Sequence, residues 1–173
     1  MSINRTVLAT LTTLAVFAVL ISSPASAQGT NVVKAFSAWT LYSHKGSPGD
    51  ICFITSQPRE TKPADVQRER AYFYVSSWRK DGIRSQVSVL LGYDLVDQAS
   101  ITVTIGSKSF KLFAKNDKGF VGDATNELQL VDAMKRGNFM TVKAKTKDGT
   151  ETIDTYSLIG ATAAVNSLTG GCS

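Results

Sequence analysis

The segment Ile101-Thr-Val-Thr-Ile105, Gly106-Ser107, Lys108 to Phe113 limits the folds open to this chain more than any other. Apolar and polar residues alternate with a period of two, a pattern that a strand turns into one buried and one exposed face. Gly in the two-residue connection supplies the positive φ that a tight hairpin needs. Ile101, Val103 and Ile105 therefore face a core, with Phe110 and Leu112 in register beside them.

Much of the chain follows the same rule. Phe36 to Tyr42 and Ile51 to Gln57 are short, aromatic and β-branched, and a Gly/Pro-rich turn separates them. Ala71 to Trp78 is apolar on both faces in its first half, as expected of a strand covered on both sides. Gln86 to Leu91 follows a turn at Asp81-Gly82. A second hairpin around Asp148-Gly149 joins Asn138–Thr146 to Glu151–Leu158. Pro58 to Arg70 is polar and charged, and reads as a long exposed loop. One helix starts at Asp123 or Thr125, buries Leu128, Val131 and Met134, and stops at Gly137. A weaker one covers Ala161 to about Leu168. The expected fold class is all-β and mainly antiparallel, a β-sandwich or partly open barrel with one or two short helices.

The first 27 residues read differently. Arg5 marks a short charged start, Val7 to Ile21 is an uncharged apolar run, and Pro24 precedes Ala25-Ser26-Ala27. These are the three zones of a secretory signal peptide, with cleavage expected between Ala27 and Gln28. The apolar run is short of the roughly 20 residues that span a bilayer. Removing residues 1–27 leaves residues 28–173 as a single domain, without a transmembrane helix in the sequence pattern. Export places it in the periplasm, at the outer membrane or outside the cell.

Both cysteines, Cys52 and Cys172, fall in the exported part. An oxidising compartment favours their one possible pairing. Neither a CxxC spacing nor a companion imidazole supports metal ligation, since His44 is the sole histidine. Net charge is +5 over the whole chain, and the cations are scattered rather than gathered into a nucleic-acid patch. Lys143, Lys145 and Lys147 share one strand face, where lysines discourage edge pairing.

Catalytic chemistry is weakly encoded, and no catalytic, cofactor or metal residue is assigned. His44 lies in a turn without a paired nucleophile. Asp94 with Asp97, and Asp148 with Asp154, are the carboxylate pairs that glycosidase-type work would need, but Asp beside turns usually binds backbone. Asp154, flanked by Thr152, Thr155 and Tyr156, is expected to be half-buried and structural. Gly119-Phe-Val-Gly122 lacks the Lys and context of a phosphate loop. Trp39, Tyr42, Tyr72, Phe73, Tyr74 and Trp78 belong by default to the core, and the surplus tyrosines allow an exposed recognition patch.

The ordered features carry a resemblance. Trp39 with Tyr42, Cys52 before Ser56-Gln57-Pro58, Gly92-Tyr93, the Thr102–Phe113 hairpin, the helix ending at Met134 and Gly137, Val142-Lys143, and Asp154-Thr155-Tyr156-Ser157-Leu158 leading to Gly160 and Cys172 resemble the invasion-associated locus B family of alphaproteobacterial envelope proteins. The resemblance spans roughly Phe36 to Cys172. It implies a small exported β-rich domain and carries no catalytic motif. The function expected is a non-enzymatic envelope protein binding an envelope protein, a polysaccharide or a host surface component. A host-cell adhesion factor is the alternative, and a carboxylate-based glycan hydrolase stands behind both.

Overall fold

The computed structural model describes residues 29–46, 50–96 and 99–171. The expected cleavage point Ala27–Gln28, as well as Asp97 and Cys172, lies outside the described residues. The strands are β1 (Gly29–Phe36), β2 (Trp39–Lys45), β3 (Ile51–Ser56), β4 (Glu60–Lys62), β5 (Tyr72–Trp78), β6 (Ile83–Leu90), β7 (Ser100–Ile105), β8 (Lys108–Lys115), β9 (Lys118–Phe120), β10 (Phe139–Lys145) and β11 (Glu151–Ser157). The helices are α1 (Ala124–Arg136) and α2 (Ala161–Gly170).

All the strands join one antiparallel sheet in the order β1-β2-β3-β5-β6-β9-β8-β7-β10-β11-β4. The sheet is open in hydrogen bonding, yet its halves meet. The Trp39 indole N–H donates to the Ser157 carbonyl at 3.0 Å, and the Ala38 N–H donates to the Ile159 carbonyl at 3.3 Å. Phe73 of β5 sits edge-on to Tyr156 of β11 at 5.9 Å and to Trp39 of β2 at 6.2 Å. This mainly antiparallel sheet with two short helices is consistent with the expected β-sandwich or open barrel.

The core forms where alternation points inward. Ile101, Val103, Ile105, Phe110 and Leu112 are all buried, as the hairpin requires. The α1 face differs from expectation. Leu130, Val131, Ala133 and Met134 are buried, whereas Leu128 is 61% exposed in the first turns. The buried stripe follows the 127, 130, 131, 134 spacing of one helix face, and residue 128 falls beside it. Asp123 caps the helix by accepting the Asn126 N–H at 2.9 Å. This bond, a second from the Asn126 side-chain amide and the Thr125 N–H hold its carboxyl below the usual range.

Several expected boundaries move. Phe36 ends β1, Ser37 turns the chain with φ +54°, and β2 begins at Trp39. Gly29–Phe36 and Lys118–Phe120 form strands because neighbouring strands pair with them, not because of their side chains. Lys143 and Lys145 do share a solvent face, but β10 is an interior strand between β7 and β11. Lys143 there pairs with Glu151 at 2.8 Å rather than guarding an edge.

The largest departure is the Pro58–Arg70 segment, which is not simply an exposed loop. It crosses from β3 to the far end of the sheet, adds β4 beside β11, and returns to β5. Gly92 allows the return: at φ +76° its missing Cβ would stand 2.4 Å from the Glu69 carbonyl oxygen. Gly160 plays the same part before α2. A Cβ there would lie 1.9 Å from the Phe36 oxygen at φ +90°.

Candidate functional site

Asp154 on β11 is fully buried, deeper than its flanking residues imply. Arg68, on the crossing segment, forks onto it with two bonds of 2.7 Å. The Thr61 hydroxyl of β4 donates to the same carboxylate at 2.8 Å. Burial disfavours the Arg68 charge, but the hydrogen bond and charge of Asp154 outweigh this and raise its pKa. Beside the pair, the Tyr93 and Thr152 hydroxyls are 2.5 Å apart. Burial pushes the Tyr93 phenol up, against the Thr152 bond. The cluster pins the crossing segment to β11. Its three bonds to the carboxylate occupy most of the roughly four acceptor positions there, a structural use of Asp154.

Asp148 is also engaged in structure. It accepts from the Thr146 hydroxyl and from the Thr150 N–H in the β10–β11 turn, and these bonds hold its carboxyl below the usual range. Asp94 contributes its backbone carbonyl to the Lys147 N–H at 3.1 Å. The Asp148 and Asp154 carboxylates thus serve a turn and an ion pair, whereas the Asp94 side chain is exposed.

The aromatics divide by strand parity. Trp39 and Phe73 are core, while Trp78 is only half-buried and donates its indole N–H to the Gln86 side chain at 3.2 Å. Tyr42, Tyr72 and Tyr74 point to the outer face. There Tyr42 stacks on Phe53 at 5.2 Å and 10°, Phe53 meets Tyr74 at 6.0 Å, and Tyr74 meets Tyr72 at 5.8 Å. The rings are half-exposed and contiguous across β2, β3 and β5. Burial and the neighbouring Tyr72 raise the Tyr74 phenol above its usual value. Phe53 is not among the aromatics expected from sequence to face outward. Its signal is the alternation of Ile51, Phe53 and Thr55 against the inward Cys52, Ile54 and Ser56.

One end of this aromatic run opens into a groove of about 460 Å³ lined by Thr40, Tyr42, Thr55, Gln57, Arg59, Arg70 and Tyr72. Both arginines are exposed, and neither is in an ion pair among the described residues. Glu60, adjacent to Arg59, is instead bonded to Lys62 at 3.1 Å. The arrangement offers flat apolar faces, neutral hydrogen-bonding groups and two free guanidinium groups.

A family model for the invasion associated locus B (IalB) protein matches residues 39–169. The chain belongs to the IalB family. The matched span begins at Trp39, so the IalB domain contains the whole aromatic run, the groove and the Arg68–Asp154 pair. Among solved structures, invasion associated protein B from Bartonella henselae has a similar fold. Its TM-score is 0.57 and its identity 12%, covering 79% of this chain and 94% of that one. At that identity the likeness is one of fold. No curated protein matches the sequence. The IalB family is not a known enzyme family.

Elsewhere in this IalB domain, His44 bonds the Thr30 hydroxyl through Nδ1 at 3.0 Å, tying β1 to β2. Among the described residues no group of His, Cys, Asp or Glu could hold a metal ion, and no helix is long and apolar enough to cross a membrane. Gly119 lies in β9, where a Cβ would stand 2.6 Å from Ile101. Close strand packing, not phosphate binding, accounts for that glycine. Cys52 lies buried on the inner face of β3.

Proposed function

We propose that this chain is an exported, non-enzymatic protein of the bacterial envelope that binds another envelope or surface component through the outer face of β2, β3 and β5. The contiguous half-exposed rings Tyr42, Phe53, Tyr74 and Tyr72 carry the reading. Folded domains normally bury such area or reserve it for recognition. The carboxylates with structural partners, and the family's lack of known enzymes, support binding over catalysis. Crosslinking in intact cells should capture specific envelope partners. The Tyr42→Ala/Tyr74→Ala variant should lose them while keeping its circular dichroism spectrum. A protein that stays alone at native abundance would count against the proposal.

A second reading, adhesion to or invasion of host cells, is favoured by the family and by the name of the Bartonella henselae structure. Deleting the gene and measuring adherence separates the two. Unchanged adherence removes the second and leaves the first.

A further inference from the structure

We infer that the ligand of the outer face is an acidic glycan chain laid across the strands, with a carboxylate-bearing sugar held in the Arg59–Arg70 groove. This rests on reading that face as a binding surface, and adds the chemistry of what it binds.

Beyond β5 the same face passes through a serine to a second pair of rings. Tyr74 faces Ser88 of β6, Ser88 faces Phe120 of β9, and Phe120 faces Phe113 of β8. Residues directly opposite one another in a sheet share a face. Phe120 and Phe113 are themselves stacked at 5.7 Å, and Phe113 is 52% exposed. The stripe thus crosses β2, β3, β5, β6, β9 and β8, stepping obliquely between Phe53, whose register partner is Ser76, and Tyr74. At about 4.8 Å per strand step, its ends are roughly 24 Å apart along the sheet. That length fits a polymer rather than a single small molecule.

Charge selects which polymer. Arg59 and Arg70 flank the stripe beyond β3 and before β5. In the neighbouring register row, Tyr72 faces Leu90, Leu90 faces Lys118, and Lys118 faces Lys115. Antiparallel order puts these four cations along one rim. Guanidinium groups bind carboxylates through paired hydrogen bonds. The groove walls between them include the neutral donors and acceptors Thr40 and Gln57, which match sugar hydroxyls. Aromatic faces match the C–H faces of sugar rings. A lipid surface would instead call for apolar side chains projecting into the acyl region. Here the rings of the β2–β5 portion are half-buried against one another, and the concave end is walled by polar groups.

The test is isothermal titration calorimetry of the full mature chain against oligogalacturonates and oligoalginates of several lengths, cello-oligosaccharides of matching length, and phosphatidylglycerol vesicles. Binding of at least one acidic series is expected, weakening with salt and strengthening with length. Arg59→Gln/Arg70→Gln should weaken it at least about tenfold, and Phe113→Ala should weaken only the longer chains. Equal binding of neutral and acidic chains, vesicle binding alone, or binding of neither acidic series overturns the inference. If no glycan binds but the Tyr42→Ala/Tyr74→Ala variant still loses its crosslinked partners, the binding face stands and its glycan ligand falls. If those partners also survive the tyrosine variant, both fall.

Discussion

Asp154 and Arg68 show what one residue can hold in place. The carboxylate is fully buried and the guanidinium nearly so, with side-chain exposures of 1% and 10%. Removing one member of such a pair strands the other, at a cost of about 3–5 kcal/mol. Asp154→Asn is therefore expected to lower the unfolding free energy by about 3 kcal/mol in urea titrations. The Asp154→Leu/Arg68→Met double variant should lose less than Asp154→Leu alone, because it leaves no buried charge. Tyr156, two residues on, is buried with a hydroxyl that has no hydrogen-bond partner among the described residues. Burial, with the Asp154 charge adding to it, pushes its phenol well above the ordinary range. The folded chain then holds the phenolic proton more tightly than the unfolded chain. This contribution is complete below the ordinary tyrosine value and is lost as pH rises through the folded one. Stability should fall above about pH 10, and Tyr156→Phe should flatten that fall. The same substitution is expected to be neutral or stabilising by about 1 kcal/mol at neutral pH. Chemical denaturation across the alkaline range measures both.

Among the elements, the three-residue strands depend most on their surroundings. β9 reaches only as far as Ser88 on β6. The next N–H, that of Val87, is taken by the Glu127 carboxylate of α1 at 3.0 Å. Burial raises the Glu127 carboxyl against that opposing bond. Helix α1 thus finishes hydrogen bonding that the short strand cannot. Glu127→Ala should cost about 1 kcal/mol and speed amide exchange at Val87, whereas exposed Leu128→Ala should change little. Equal losses from both would refute this link. β4 is legible only through Asp154 and Arg68, because Glu-Thr-Lys has no strand signature of its own. Its pairing with Ile153 to Thr155 comes from the crossing segment being anchored there.

For the whole molecule, closure depends on how the chain ends are tied. Helix α2 leads to Gly171, whose missing Cβ would meet the Arg79 guanidinium at 2.0 Å. Arg79 follows Ser77 by two residues, and Ser77 is the register partner of Cys52. We propose that Cys52 pairs with Cys172, as an oxidising compartment favours. The bond would close a loop of about 120 residues, worth at most about 5 kcal/mol in the chain-entropy model. Protein from an oxidising compartment should carry no titratable thiol, and reduction should lower its melting temperature markedly. Two free thiols in the native exported protein would refute the pairing. N-terminal sequencing of the same sample should begin at Gln28.

The sequence by itself determined the strand-rich class, the Ile101–Phe113 hairpin, the capped helix and the family, because period-two alternation, turn glycines and caps act between near neighbours. It also marked Asp154 as structural and the tyrosines as surplus to a core. Only the tertiary structure decided that Pro58–Arg70 crosses the sheet and buries Arg68 against a carboxylate 86 residues away. The same holds for the aromatic stripe. Tyr42, Phe53, Tyr74, Phe120 and Phe113 are spread along the chain, and strand order and register place them on one face, with Ser88 between Tyr74 and Phe120. Local propensity does not encode which distant strands become neighbours; burial of the shared core fixes that choice, and with it which side chains share the outer face.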